Sequence, residues 1–545
     1  MSRTSTSLKG VLVTGAVLTV AGVGTPTHAD PARTAAGRPG VELTEIGRHT
    51  PTNVGFDEGA AEIVAFDAAT ARLFVVNGSE GTLDVLDASD PTDPSLVSQI
   101  DLAEYGASLT GVDAGGGLAA VAVHPENAQA EPGRVVILDT ATLDIVADVA
   151  AGYLPDAVVF DPDSSVAMVA NEGEPSSDYA ADPEGSLTLV DLETFEPTQV
   201  DFRQYDGRED ELDESIRIFG PGASVSQDLE PENITFSSDG ERAWVTLQEN
   251  NAMAHVDVAA AEVTDLFGLG FKDWTRAGAG FDASNRDGGI EIRDWPVLGI
   301  PQPDAVAGYD FRGETFLVTA NEGDARDYDT YSEERRLGDV GLCEGYTYGD
   351  MSAEDLVKDE NLGRLNITLA NGYDAEDDCV EEIYAYGARS FSIYDATGEL
   401  VYDSGSDFEE ITAEALGTVG FNANNDESGS DAFDSRSDDK GPEPEGVAVG
   451  RAFGRTLAFV GLERVGGVMT YDVTDPHTPE FMDYANGRDF EAATAEESVD
   501  LGPEGVLFIP ADDSPNGAPL LVLSHEVTGT TTVYEVRLDT PARRG

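Results

Sequence analysis

One feature constrains this chain more than any other: a unit of three short strands that recurs seven times between residues 62 and 535. Each unit opens on an acidic or polar residue and a short apolar strand. A turn and a second apolar strand follow, and a third strand ends in an acid. The first strands begin at Glu62 (EIVAF), Thr110 (TGVDA), Asp156 (DAVVF), Glu232 (ENITF), Asp304 (DAVAG), Glu445 (EGVAV) and Glu504 (EGVLF). The second strands are LFVVN, LAAVAV, AMVAN, AWVTL, TFLVT, TLAFV and PLLVL, and the third strands end at Asp87, Asp139, Asp191, Asp257, Asp395, Asp472 and Glu535. Short β-rich runs between Gly, Asp and Pro turns read as strands. A unit of this kind cannot bury both faces alone, so neighbours must stack. The sequence therefore predicts an all-β, seven-bladed β-propeller over 41–540. A β-sandwich or a pair of β domains needs no fixed three-strand grammar. Val41–Arg48 is expected to supply the outer strand of the last blade.

Long excursions interrupt the repeat at about 259–303, 321–388 and 396–441. Loops of that length on a compact scaffold cap a face or carry function. Cys343 and Cys379 fall within the second and are the only cysteines. Disulfide-bonding is the expected state in an exported protein, and two thiolates without nearby His make a poor zinc site.

Residues 1–29 read as a signal peptide: Arg3 and Lys9, a small apolar run from Val11 to Val23, and Ala29 at the cleavage point. The apolar run is too short to span a bilayer. Residues 30–40 read as a flexible segment and 541–545 as a tail, with no transmembrane anchor, so a secreted, extracellular protein is expected. The chain carries 105 acidic and 31 basic residues, a formal net charge of -74. That field repels phosphates and excludes nucleic acid as a partner. It suits metal ions or a saline habitat, and a salt-adapted, halophilic surface accounts for most of the acids.

A recurrent minority of the acids sits at fixed positions. Glu62, Asp156, Glu232, Asp304, Glu445 and Glu504 open strands that line a propeller's channel. Either they bind a cation or they bond only to strand-end amides. A second set follows the second strands: Asn171-Glu172, Gln248-Glu249, Asn321-Glu322, Glu463-Arg464 and His525-Glu526. These are expected at the opposite end from the first set, or where loops fold over the channel. They act as oxygen ligands for a hard cation such as Ca2+, or as hydrogen-bonded blade linkers. The stretch 281–290 offers Asp282, Asn285 and Asp287 before a Gly turn, which suits calcium without matching an EF-hand. The metal-ligand candidates are thus Glu172, Glu249, Asp282, Asn285, Asp287, Glu322, Asp324, Glu445 and Glu463. Arg326, Arg436, Lys440 and Arg464 lie in loops mixing acids with scarce bases. They hold a phosphate or carboxylate, or else form salt bridges within the loops. No nucleophile elbow, H-E-x-x-H or P-loop is present, and six scattered His argue against a multi-His metal centre.

Several long stretches resemble the choice-of-anchor I family of exported bacterial proteins: DASNRDGGIEIRDWPV at 282–297, QPDAVAGY at 302–309, TANEGDARDYDTYSEERRLGD at 319–339, ARSFSIYDATGELVYDSGSDFE at 388–409, FNANN at 421–425, DSRSDDKGPEPEG at 434–446 and GLERVGG at 461–467. The resemblance implies a seven-bladed propeller of the broad WD40 and YVTN type. It extends to mesenchyme-specific cell-surface glycoproteins linked to biomineralisation, and some relatives are called alkaline phosphatases. Phytase-like propellers line their channels with calcium. Two functions follow as expectations: a calcium-binding extracellular module that engages surface components, or a calcium-dependent phosphoesterase acting on phosphorylated small molecules.

Overall fold

The computed structural model describes residues 39–52, 55–429 and 432–539. The leader expected at 1–29, nearly all of segment 30–40 and the tail at 541–545 lie outside the described residues.

Seven four-stranded antiparallel sheets account for most of the strands described. Their innermost strands are Val64–Asp67, Ser108–Gly115, Pro155–Phe160, Pro231–Phe236, Val306–Phe311, Pro444–Ala452 and Pro503–Ile509. These strands pack side by side in chain order, and that of the seventh sheet meets that of the first. Together they line a cavity of about 310 Å³. The protein is all-β, with sheets of the propeller type.

Burial follows strand position. The second and third strands of each sheet are almost wholly buried, as in Arg455–Leu462, where every residue is. Burying each Val or Leu of such a strand contributes about 1.5–3 kcal/mol. The fourth strands are less buried: Ser95–Asp101 and Glu480–Ala485 bury no residue, although Leu400–Asp403 buries its last two. Lacking a hydrophobic signature, they escape the three-part sequence pattern. This shifts two boundaries. Glu262–Gly268 and Leu400–Asp403 fall within the stretches read as insertions, yet they complete the fourth and fifth sheets.

The seventh sheet joins the two ends of the described chain. Val41–His49 pairs antiparallel with Thr531–Leu538, as the sequence anticipates. Arg48 fixes the join by an ion pair with the buried Asp500, whose other oxygen accepts from Thr530 and Thr532.

The long insertions share a core of their own. Trp274, Phe281 and Trp295 from the first pack with Leu337, Leu356 and Leu365 from the second. Val297–Ile300 runs parallel to Ile383–Tyr386, tying the two together. Cys343 and Cys379 are disulfide-bonded within this cap, with Cα atoms 5.0 Å apart.

Candidate functional site

Each inner hairpin explains where its acids go. Antiparallel pairing sets Pro155 opposite Asn171, Pro231 opposite Leu247, Pro444 opposite Leu462 and Pro503 opposite His525. The start of the first strand and the end of the second therefore lie at one end of the sheet. This corrects the expectation that the two acidic sets occupy opposite ends: they share one mouth of the channel.

A second local feature aims the acids. In these four sheets the register shifts between the proline and the residue three positions on, so Asp156, Glu232, Glu445 and Glu504 sit in bulges. A bulge frees a residue from the ladder and re-aims its side chain. Neighbouring sheets crowd here. A Cβ on Gly446 would lie 2.1 Å from the Glu504 carbonyl oxygen, and Thr246 donates to the Asp304 carbonyl at 2.9 Å.

The crowding raises most of these carboxyls above the usual range. Burial, then Glu526 and Asp156, pushes Glu62 up to about 8. Burial alone raises Asp156 to about 6. Glu172, Glu232, Asp304, Glu445, Glu463 and Glu504 are raised well above the ordinary value, first by burial and then by other acids of the mouth. Like charges held together out of water disfavour ionisation.

The asparagines that precede two of these acids do other work. Asn171 accepts from Gly152 N at 2.9 Å and donates to Ser186 O at 3.0 Å, while Asn321 donates to Ser392 Oγ at 2.8 Å. Asn171 thus ties its sheet to the segment that enters it, while Asn321 braces two strands of its own sheet. The glutamates beside them face the mouth.

Among the described residues, two trios of carboxylates bring oxygens within 4.8 Å of one another: Glu174, Glu230 and Glu249, and Glu322, Glu443 and Glu463. The second trio is filled by cations. Lys440 Nζ lies 2.6 Å from Glu322 Oε1, 3.2 Å from Glu443 Oε2 and 4.0 Å from Asp324. Arg436 holds Glu443 at 2.6 Å, and Arg464 holds Glu463 at 2.9 Å. Burial works against the Glu443 anion, but Lys440, Arg436 and Arg464 hold its carboxyl down at about 2. Asp324 is pushed up to about 7 by burial, with Lys440 opposing.

Among the described residues, the first trio has one cation within reach. Arg326, fully enclosed, pairs with Asp228 and lies 2.8 Å from Glu230 Oε1. Glu174 Oε1 accepts from Tyr328 at 3.1 Å. The oxygens Glu230 Oε2, Glu232 Oε2 and Glu249 Oε2 are buried and accept no hydrogen bond, as is Glu445 Oε2 elsewhere in the mouth.

Of the residues singled out from sequence, Glu172, Glu249, Glu322, Asp324, Glu445 and Glu463 do converge on the mouth. Asp282, Asn285 and Asp287 sit in the cap, and neither trio draws on Asp282 or Asp287. Asp282 accepts from the backbone of Ser284 and Glu291, Asn285 Oδ1 accepts from Arg364, and Asp287 Oδ1 accepts from Gly289. Arg326, Arg436, Lys440 and Arg464 all hold carboxylates, so a phosphate would have to displace them. Glu174 and Glu230 were not anticipated, and Glu443 figured only as part of a loop. Their signal lay in short recurrences. Asn-Glu-Gly-acid occurs at 171–174 and 321–324, and Glu-Pro-Glu at 230–232 and 443–445. Gly173 and Gly323 both take positive φ, 71° and 91°, and the chain passes too close behind each for a side chain.

The choice-of-anchor I domain matches residues 62–476, which is most of the chain. The protein belongs to the choice-of-anchor I family. Among curated relatives, Gigasin-3a of Magallana gigas is 34% identical over 194 residues, covering 34% of this chain and 68% of that protein. The mesenchyme-specific cell surface glycoprotein of Strongylocentrotus purpuratus is 32% identical over 286 residues, 46% of this chain. The match spans only 35% of the sea-urchin protein's length. Solved structures that align include streptogramin B lyase (TM-score 0.45, 9% identity, 91% of this chain and 98% of the other). The β-propeller domain of Cps50 (Swd1) from Myceliophteria thermophila aligns with a TM-score of 0.43 and 8% identity over 90% of this chain and all of the other. No helix among the described residues is long and apolar enough to cross a membrane.

Proposed function

We propose that this choice-of-anchor I protein is a secreted, acidic, seven-bladed propeller that binds calcium at the acidic mouth of its channel and works as an extracellular binding module. The observation that carries the reading is the set of buried carboxylate oxygens at the mouth that accept no hydrogen bond. An uncompensated buried anion is costly, and a hard cation offsets that cost with the oxygen ligands it prefers. The seven inner strands meeting around one cavity support the blade count. A relative named as a cell surface glycoprotein and a disulfide in the cap support an extracellular setting. The phosphoesterase reading has no observation of its own, because its four candidate bases are already paired.

Calorimetric titration with calcium in molar sodium chloride tests this reading. The expected result is saturable binding with a rise in melting temperature. At free calcium about 100 times Kd the linkage is worth about 2.7 kcal/mol. The absence of both binding heat and a melting shift would overturn it.

A further inference from the structure

The two trios are variations on one plan. In the first, the Asn-Glu-Gly-Glu turn of the third sheet meets the Glu-Pro-Glu start of the fourth. In the second, Asn-Glu-Gly-Asp of the fifth sheet meets Glu-Pro-Glu of the sixth. Glu230 and Glu443 each directly precede the proline that pairs with the end of the second strand, at Leu247 and Leu462. Counting on from those partners, Glu249 in the fourth sheet takes the place that Arg464 takes in the sixth. The copies therefore differ in charge. The fifth–sixth copy carries Arg464 at that place and receives Lys440 and Arg436 from the neighbouring loop. The third–fourth copy has Glu249 there, and the cation beside it, Arg326, is shared with Asp228.

We propose that the third–fourth copy is a dedicated site for one divalent cation, ligated by Glu174, Glu230 and Glu249, and that Lys440 is the built-in cation of the other copy. This rests on the calcium reading above and assigns its place. One observation beyond the clustering of acids points to an ion. Glu230 and Glu249 are only 1% and 5% exposed, yet Glu230 keeps an oxygen that accepts no hydrogen bond and the carboxyl of Glu249 has its free side only against another acid, Glu232. The acids of the other trio, of which only Glu443 holds the matching position, are all engaged: both oxygens of Glu322 by Lys440 and Gln248, both of Glu443 by Arg436, Lys440 and Arg464, and Glu463 by Arg464 and Asn425. The spacing also fits. Oxygens within 4.8 Å of each other span what two opposite bonds to calcium reach, about 5 Å. The acids number three against a shared guanidinium, which favours a divalent over a monovalent ion. Tyr328, bonded to Glu174, stands at the edge of the site and gives it an optical handle.

Terbium luminescence excited through tyrosine, followed by displacement with calcium, tests the assignment on the full chain. The wild type should give a saturable, calcium-displaceable signal. Glu230→Gln and Glu249→Gln should each weaken calcium binding by more than about tenfold, or 1.4 kcal/mol. Glu463→Gln, in the lysine-filled copy, should leave it within about twofold. Tyr328→Phe should dim the terbium emission while calorimetry still shows calcium bound. Calcium binding in the wild type that Glu230→Gln and Glu249→Gln leave unchanged, in variants whose melting shows them folded, overturns the site and leaves the broader reading standing. No calcium binding by the wild type overturns both.

Discussion

Lys440 shows how a single residue decides what an acidic cluster is for. It sits among Glu322, Asp324 and Glu443, and its ammonium is held charged despite burial by those three acids and Glu463. Replacing it with methionine strands those carboxylates, and removing one partner of a buried pair costs about 3–5 kcal/mol. Urea unfolding of Lys440→Met in chelator should show a loss of that size. Asp407 makes a separate prediction, remote from the mouth. Burial raises its carboxyl to about 7, Glu410 and Asp403 add to the shift, and the Tyr471 hydroxyl and Lys272 oppose it. A carboxyl raised in the folded state gives stability that is present at low pH. That stability is lost as pH climbs from the unfolded value, near 4, through about 7. Asp407→Asn cannot ionise, so its melting temperature should fall less than the wild type's between pH 5 and 8. Glu322, Asp324 and Lys440 were visible in the sequence because they lie in two charged loops, 319–339 and 434–446, where acids mix with scarce bases. Glu174 and Glu230 were not, because each is a single acid in an acid-rich chain. Only the paired recurrence of their flanking motifs distinguishes them.

At the scale of elements, the buried strands were legible and the exposed ones were not. Leu118–His124 announces itself as a run of Leu, Ala and Val, whereas Ser95–Asp101 alternates with no buried face. Direction was misjudged for the two acidic sets, because an antiparallel hairpin returns its end to its beginning. The closing strand was expected at Val41–Arg48 and runs over Val41–His49, but Arg48–Asp500, which fixes it, joins residues too far apart in sequence to pair by pattern. Arg48→Ala should cost about 1–3 kcal/mol, the penalty for leaving a buried polar group short of a partner. Amide exchange should then rise first in Val41–His49 and Thr531–Leu538. The disulfide belongs to the cap. Closing a loop of 36 residues is worth about 3–4 kcal/mol to the segment it ties. Cys343→Ser with Cys379→Ser should expose the cap to protease while the sheet signal in circular dichroism stays.

Over the whole molecule, a net charge of -74 makes almost any surface carboxylate unremarkable. Salt screens exposed charges beyond about 8–10 Å but acts much less on buried ones. High salt therefore separates the two populations that share one composition: the solvated surface and the enclosed mouth. A cation bound only by the surface field is released in molar salt, whereas one seated among Glu174, Glu230 and Glu249 is retained. The most direct measurement is an anomalous difference map from crystals grown at high salt and soaked in calcium, then in terbium. The account predicts one peak between those three carboxylates for both ions, and none between Glu322, Glu443 and Glu463, where Lys440 sits. A mouth without a peak, with ions only on the outer surface, would contradict it.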